Sequence, residues 1–247
     1  MGTVALYFNL TGYQNIAIGE AALLSNSTSS NNVAIGYNAL NKNTVSENTA
    51  IGSSALFTNY GGLRLTAVGF NSLYNNTTNG NDNTAIGHNS LYTNTTGLNN
   101  VSVGSSALYS NSTGSQNVAV GKTSLQGNST GDRNTAIGAS ALQLNNVGND
   151  NIAIGTASLL NNTASENTAV GSSALYTNVA GLRLTAIGHN SLYYNTTNGN
   201  DNTAVGHNSL RANTTGISNV SVGSSALYKN STGARNIAVG TSALSLN

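Results

Sequence analysis

Ser112-Thr113-Gly114-Ser115-Gln116-Asn117-Val118-Ala119-Val120-Gly121-Lys122-Thr123-Ser124-Leu125-Gln126-Gly127-Asn128 is followed at once by Ser129-Thr130-Gly131-Asp132-Arg133-Asn134-Thr135-Ala136-Ile137-Gly138-Ala139-Ser140-Ala141-Leu142-Gln143-Leu144-Asn145. The two 17-residue segments share an opening Ser-Thr-Gly, a central Asn, Ala and Gly, and a late Leu and Asn at identical offsets. The spacing extends across all 247 residues. A Gly preceded by Ile or Val falls at 19, 36, 52, 69, 87, 104, 121, 138, 155, 171, 188, 206, 223 and 240, at intervals of 16 to 18 residues. Gly2 leads the series in phase. A second repeat overlies the first, because Gly52 and Gly171, Gly69 and Gly188, and Gly121 and Gly240 are each 119 residues apart. A period of this length marks a solenoid, in which no single unit can bury its apolar face and stacked neighbours complete one another.

Alignment on that Gly shows which columns are constrained. The residue before it is Ile or Val, the one before that Ala or Ser, and the third before it β-branched, as in Ile16-Ala17-Ile18 and Thr135-Ala136-Ile137. Four before stands Asn, except at Leu65 and Leu184. Three after is Ala or Ser, four after is Leu without exception, and seven after is Asn without exception. Two β-branched residues flanking a small one have the period of a short strand. The pattern places the Ile/Val/Thr face toward a core and the Ala/Ser face outward. Ser, Thr or Asn two after the Gly, followed by Ala-Leu, suits an N-cap. This favours a single helical turn there over a second short strand, and both remain open. The expectation is an all-β solenoid, a parallel β-roll or β-helix of about 14 coils. It spans 1–247 as one repeat domain built of two seven-coil blocks, about 10–128 and 129–247. At about 4.8 Å per coil such a stack makes a rod about 65–70 Å long, with the constant Asn free to form an amide ladder.

Composition agrees. Charged residues make up 6% of the chain and the net charge is +1, against about 25% charged in an average soluble domain. A like charge repeated in every coil would stack against itself about 4.8 Å away. The absence of Pro suits strands that donate N–H groups on both edges. No Cys means no disulfide framework and no thiolate chemistry. Without a basic cluster there is no electrostatic footprint for nucleic acid. No apolar run is long enough to span a membrane, and Met1–Thr11 shows no secretory signal.

Asn117-Val118-Ala119-Val120-Gly121 and Asn134-Thr135-Ala136-Ile137-Gly138 resemble the core of the YadA-like head repeats of trimeric autotransporter adhesins. The longer unit, with Ala/Ser-Leu, Asn-Thr-Thr-Gly and a final Asn, also resembles repeats of phage tail-fibre and bacterial surface proteins. The resemblance implies a parallel β-roll, often a homotrimer, in an extracellular fibre or adhesin on a cell or virion surface. The period here is 17, longer than in the adhesin repeats, and no anchor or coiled-coil stalk is visible.

Candidate chemistry is sparse. The seven acidic residues look scattered, which points away from acid–base catalysis and hence from an enzyme. No cofactor is expected. Gly121-Lys122-Thr123 ends like a phosphate loop but lacks the earlier Gly. His189 and His207 share a column in adjacent coils, as stacked polar residues rather than a metal site. Asn79–Asp82 and Asn198–Asp201 are one-carboxylate insertions that read as turn bulges, not Ca²⁺ loops.

Self-association is the leading expectation. A uniformly small outward column (Ala17, Ala50, Ala136, Ala169, Ala238) would let a second copy approach closely, with Arg64 and Arg183 as lateral contacts 119 residues apart. The chain starts and stops in phase, from Gly2 to Asn247, which suggests head-to-tail assembly or membership of a longer fibre. Tyr74, Tyr92, Tyr109, Tyr176, Tyr193 and Tyr228 recur just after the Leu, as a packing strip or a surface for a carbohydrate partner. The constant Asn forms sequons at Asn26, Asn94, Asn111, Asn195, Asn213 and Asn230, yet persists without one at Asn43 and Asn145, so the amide itself is the constraint. Thr rows near Thr77, Thr95 and Thr113 raise ice binding as a minor alternative.

Overall fold

The structure is a computed structural model that describes residues 2–196 and 198–247. It is all-β, with parallel strands about 17 residues apart, and it contains no helix among the described residues. Two compact units are distinguished, Met1–Thr123 with Gly127–Thr130, and Ser124–Gln126 with Gly131–Asn247.

In the first unit the main-sheet strands are β1 (Ile16–Ile18), β2 (Val33–Ile35), β4 (Thr49–Ile51), β6 (Thr66–Val68), β8 (Thr84–Ile86), β9 (Val101–Val103) and β10 (Val118–Val120). They pair parallel and in register, so that Ala34 faces Ala50, Ala50 faces Ala67, and Ala67 faces Ala85. A second, shorter sheet joins β3 (Lys42–Asn43), β5 (Thr58–Asn59) and β7 (Asn75–Asn76). The second unit holds β11 (Thr135–Ile137), β12 (Ile152–Ile154), β13 (Thr168–Val170), β14 (Thr185–Ile187), β15 (Thr203–Val205), β16 (Val220–Val222) and β17 (Ile237–Val239), again parallel and in register.

The segment after each Gly is not helical. The second residue after it has φ of 52–57° and the Leu has φ of 47–52° throughout. These left-handed residues alternate with others, so the chain makes successive tight turns rather than a helical one. Gly19 C=O accepts from Ala22 N at 3.3 Å and Leu23 C=O accepts from Asn26 N at 3.2 Å. Ser and Asn suit this position because both turns and N-caps favour them; the same residue types made a helical turn the favoured expectation. Three coils of the first unit follow these turns with the second short strand.

The strand faces are reversed from the expectation. The Ala column points inward: Ala34, Ala50, Ala67, Ala136 and Ala169 are fully buried. The Ile/Val/Thr columns point outward, and Ile51, Ile86, Ile137 and Ile187 are 39–41% exposed. The reason is the width of the interior. Ser102, in the Ala column, donates from Oγ to the C=O of Ala107 on the opposite wall at 2.9 Å, and Ser221 does the same to Ala226 at 2.9 Å. One side-chain atom beyond Cβ therefore bridges the gap, and an inward Ile would collide with that wall. The Leu column supplies a large side chain in every coil, fully buried from Leu23 to Leu227, and Leu65 and Leu184, each 1% exposed, add a second in their coils. Holding a Leu at positive φ costs about 1–2 kcal/mol, which its burial, worth about 1.5–3 kcal/mol, offsets.

Asn side chains fill the rest. Asn111 Nδ2 donates to Asn94 Oδ1 at 2.8 Å and to Gly114 C=O at 2.8 Å, and Asn94 Nδ2 repeats this toward Asn76 Oδ1 at 3.1 Å and Gly97 C=O at 3.0 Å. In the second unit Asn178 donates to Asn162 and Asn195 to Asn178, both at 2.8 Å. The Asn four before the Gly works differently: its Oδ1 accepts a backbone N–H from the next coil, as Asn100 Oδ1 does from Asn117 N at 2.9 Å. Gly69, at φ +129°, lies so close to the next coil that a Cβ would come within 2.6 Å of Gly87 O.

Two substitutions test this interior. Leu108→Ala removes the sole large side chain of its coil and should destabilise by about 2–5 kcal/mol in denaturant melts. Asn94→Ala takes the donor from Asn76 Oδ1, while Gly97 C=O keeps Asn83 Nδ2 at 2.7 Å and Asn111 Nδ2 keeps Gly114 C=O at 2.8 Å. At about 1–3 kcal/mol for that one unpaired buried acceptor its cost should be comparable to or smaller than that of Leu108→Ala.

Candidate functional surfaces

The chain carries its distinctive features as columns on its outside. The most extensive is the outer face of the main sheet in each unit, two ranks of β-branched side chains. One rank runs Thr49, Thr66, Thr84, Val101 and Val118 in the first unit and Thr135, Ile152, Thr168, Thr185 and Thr203 in the second. The other rank is Ile or Val in every strand, and no charged residue lies in either.

This reversal changes the expected self-association residues. Ala50, Ala136 and Ala169 are fully buried, Ala238 is 3% exposed and Ala17 is half-buried. None of the five presents an outward face, because the narrow interior claims this column. Their flanking β-branched neighbours take the outward position instead. Arg64 and Arg183 already have partners in their own chain. Arg64 Nε and Nη2 donate to Asp82 at 2.6 and 2.8 Å, and Arg183 Nε and Nη2 donate to Asp201 at 2.7 and 3.0 Å. A third pair, Arg133–Asp150, has the same bidentate geometry at 2.6 and 2.8 Å.

These pairs correct the impression that the acids are scattered. Glu47, Asp82, Asp150, Glu166 and Asp201 all stand five residues before the Gly, with Arg64, Arg133, Arg183 and Arg235 in the same column. The whole column has φ of 54–65°. Alignment of that offset would have found it in the sequence.

The six candidate glycosylation sites lie in the interior. Asn26, Asn94, Asn111, Asn195 and Asn213 are fully buried and Asn230 is 1% exposed, with their amides committed to the ladder. A glycan on Nδ2 would displace the donor that each coil gives to its neighbour, so the folded ladder excludes it.

The tyrosines form stacks. Phe57, Tyr74, Tyr92 and Tyr109 lie face to face with centroid spacings of 5.0, 5.0 and 5.1 Å. Tyr176 and Tyr193 stack at 4.9 Å. The next rung is Arg211, whose guanidinium lies 5.2 Å from the Tyr193 ring and 5.8 Å from that of Tyr228. Ring faces within the stacks cover one another and leave edges outward, which favours packing over a carbohydrate platform.

His189 and His207 stack at 5.4 Å and are exposed. Among the described residues no three His, Cys, Asp or Glu converge as metal ligands, and no pocket opens. In the insertions, Asn81 N donates to Asn79 C=O and Asn200 N to Asn198 C=O, both at 2.9 Å, while Asp82 and Asp201 are held by arginine. Thr123 Oγ1 donates to its neighbour's carbonyl, Lys122 C=O, at 2.7 Å. In the Thr rows, Thr95 Oγ1 donates to Ser112 C=O at 2.9 Å, so that hydroxyl serves the adjacent coil. No helix is long and apolar enough to cross a membrane. Compared with family models, curated proteins and solved structures, the chain matches none.

The Arg partner's hydrogen bond holds the carboxyls of Asp82, Asp150 and Asp201 below the ordinary carboxylate value. A depressed carboxylate stabilises the fold above its unfolded pKa and loses that contribution as pH falls through the folded value. Melting temperature should therefore hold from neutral pH to about 5 and drop below about 4. In Arg64→Gln/Arg183→Gln the acid-induced drop should be smaller; an equal drop would place it elsewhere.

Proposed function

We propose that the chain is a non-enzymatic structural component of an extracellular fibre or filament, and that it associates laterally with copies of itself. The observation that carries this reading is the outer face of the main sheet, in which every position of two adjacent ranks is β-branched and uncharged. One rank mixes Thr with Val and Ile, but the other is Ile or Val throughout; isolated apolar residues on a surface are ordinary, whereas a continuous apolar row marks an interaction site. β-Branched side chains are stiff at χ1, so the ranks present fixed ridges that a second such face can meet without losing much side-chain freedom. The interior, filled by Leu, Ala and Asn, suits a load-bearing stack. The resemblance to adhesin head repeats supports both the surface location and a homo-oligomer.

Light scattering on purified protein, with negative-stain microscopy, tests the reading. The expected result is a defined oligomer or filament. Ile86→Glu/Ile187→Glu, which puts a charge into the exposed rank of each unit, should release monomers that keep their β circular dichroism. Unaltered protein that is monomeric at all concentrations would overturn the proposal.

A further inference from the structure

The aromatic columns carry an inference independent of how the chain assembles. The chain has no cysteine, so no disulfide can tie one coil to the next. It does have eleven tyrosines, and the fold divides them sharply. Tyr74, Tyr92 and Tyr109 occupy successive rungs, nearly parallel, at 5.0 and 5.1 Å. Tyr176 lies 4.9 Å from Tyr193, which also meets Tyr194 edge to face at 4.5 Å. Tyr13, Tyr37 and Tyr60 are exposed and stand outside these stacks among the described residues. Phe57 bounds the first stack and Arg211 separates Tyr193 from Tyr228.

The geometry points to the two tyrosine stacks as sites of oxidative cross-linking, where a peroxidase-type one-electron oxidant joins neighbouring rungs as dityrosine. Each of two adjacent phenols gives one electron and its hydroxyl proton to the oxidant. The resulting phenoxyl radicals couple, forming one carbon–carbon bond between ring carbons ortho to oxygen. The two ortho hydrogens then pass to the oxygens through solvent, which restores both aromatic rings and both hydroxyls. With hydrogen peroxide as terminal oxidant, one peroxide and two tyrosines give one dityrosine and two waters. Coupling is second order in radical, so holding two phenols with ring centroids 4.9–5.1 Å apart, a small ring movement from bonding distance, favours this pair over diffusing partners. The ladder Tyr edges are half-buried, not sealed, and remain open to a small oxidant or to electron transfer at the surface.

The bond ties a residue to one 17 or 18 positions away, one coil further along. A solenoid is stabilised by nearest-neighbour interfaces and loses structure unit by unit. Closing a loop across such an interface restricts the unfolded chain in the way a disulfide does. The stacks therefore offer the reinforcement that this composition otherwise lacks.

The test uses the whole chain at high dilution, with horseradish-type peroxidase and hydrogen peroxide as the probe. Expected are dityrosine fluorescence, a loss of two hydrogens per bond in the intact mass, and cross-linked peptides joining Tyr74 to Tyr92, Tyr92 to Tyr109, or Tyr176 to Tyr193. The oxidised protein should also melt at a higher temperature than the untreated one. Tyr92→Phe/Tyr193→Phe keeps stacked rings and nine tyrosines but leaves no two ladder tyrosines adjacent. It should keep the wild-type circular dichroism and lose the intramolecular product. Wild-type yield in that variant, cross-links mapping to Tyr13, Tyr37 or Tyr60, or no dityrosine in wild-type protein while peroxide is consumed would each overturn the inference. Because intramolecular coupling is read in dilute protein, a failure here leaves lateral association untouched, and the reverse holds as well.

Discussion

The gap between the strand wall and the turn wall is narrow enough for a single serine hydroxyl to bridge it, and the rest of the structure depends on that width. In Ser102 and Ser221 the Oγ reaches a carbonyl on the facing wall at 2.9 Å in both units. Only Ala or Ser can occupy that column. Where Ser does, the preceding coil supplies a hydroxyl partner: Ser90 Oγ donates to Ser102 Oγ and Ser209 Oγ to Ser221 Oγ, both at 2.7 Å. A lone buried hydroxyl would be costly, and each inward Ser is bonded on both sides. With the strand's inward side limited to a methyl group, its two large residues per coil have nowhere to go but outward. The β-branched outer face, with its continuous Ile/Val rank, is thus a consequence of a thin interior, and the proposed lateral association would remove that rank from water.

A thin interior also limits what the hydrophobic effect can contribute, and backbone and amide hydrogen bonds make up the difference. Each coil places one Leu (two where Leu65 and Leu184 replace Asn) and one or two small residues inside, where an ordinary core would place several large ones. The constant Asn answers two needs at once. Its Nδ2 donates both to the Oδ1 of an adjacent coil and to a carbonyl three residues along its own turn, as at Asn94 and Asn111. Gln has the same amide but one more methylene, and Asp lacks the donor, so neither fits. The same logic explains positive φ at a β-branch-free Leu: the turn that delivers its side chain to the axis is available only in the left-handed region, and regular contact with both adjacent coils holds it there.

Period, parallel register, amide ladder and fold class were legible in the sequence because each is a repetition, and repetition survives without three-dimensional information. Strand orientation was not. Val118-Ala119-Val120 has two large apolar residues and one small one, and the usual rule sends the large pair inward. That rule presumes a core wide enough to receive them, and the width is set by the turn wall, whose conformation the residue types alone did not reveal. Ser140-Ala141-Leu142 suits a capped helical turn and a left-handed double turn alike. The Tyr column was visible, but face-to-face stacking follows only from an in-register ladder with parallel rings. The charged corner was missed for a different reason: its residues vary in sign and type from coil to coil, so it shows no constant letter.

That variation is itself informative. A uniform column works for amides and aromatic rings because each rung both gives and receives, or is indifferent to its copies. A carboxylate only accepts and a guanidinium only donates, so a charged column is stable when the sign alternates. The order Glu47, Arg64, Asp82 obeys this, as do Arg133 with Asp150 and Arg183 with Asp201. Asp150 and Glu166 break the alternation, and each has an arginine as its other neighbour in the column. Charge is therefore admitted to the ladder where it can be paired between coils. Most positions avoid it altogether, which is why so little of the chain is charged.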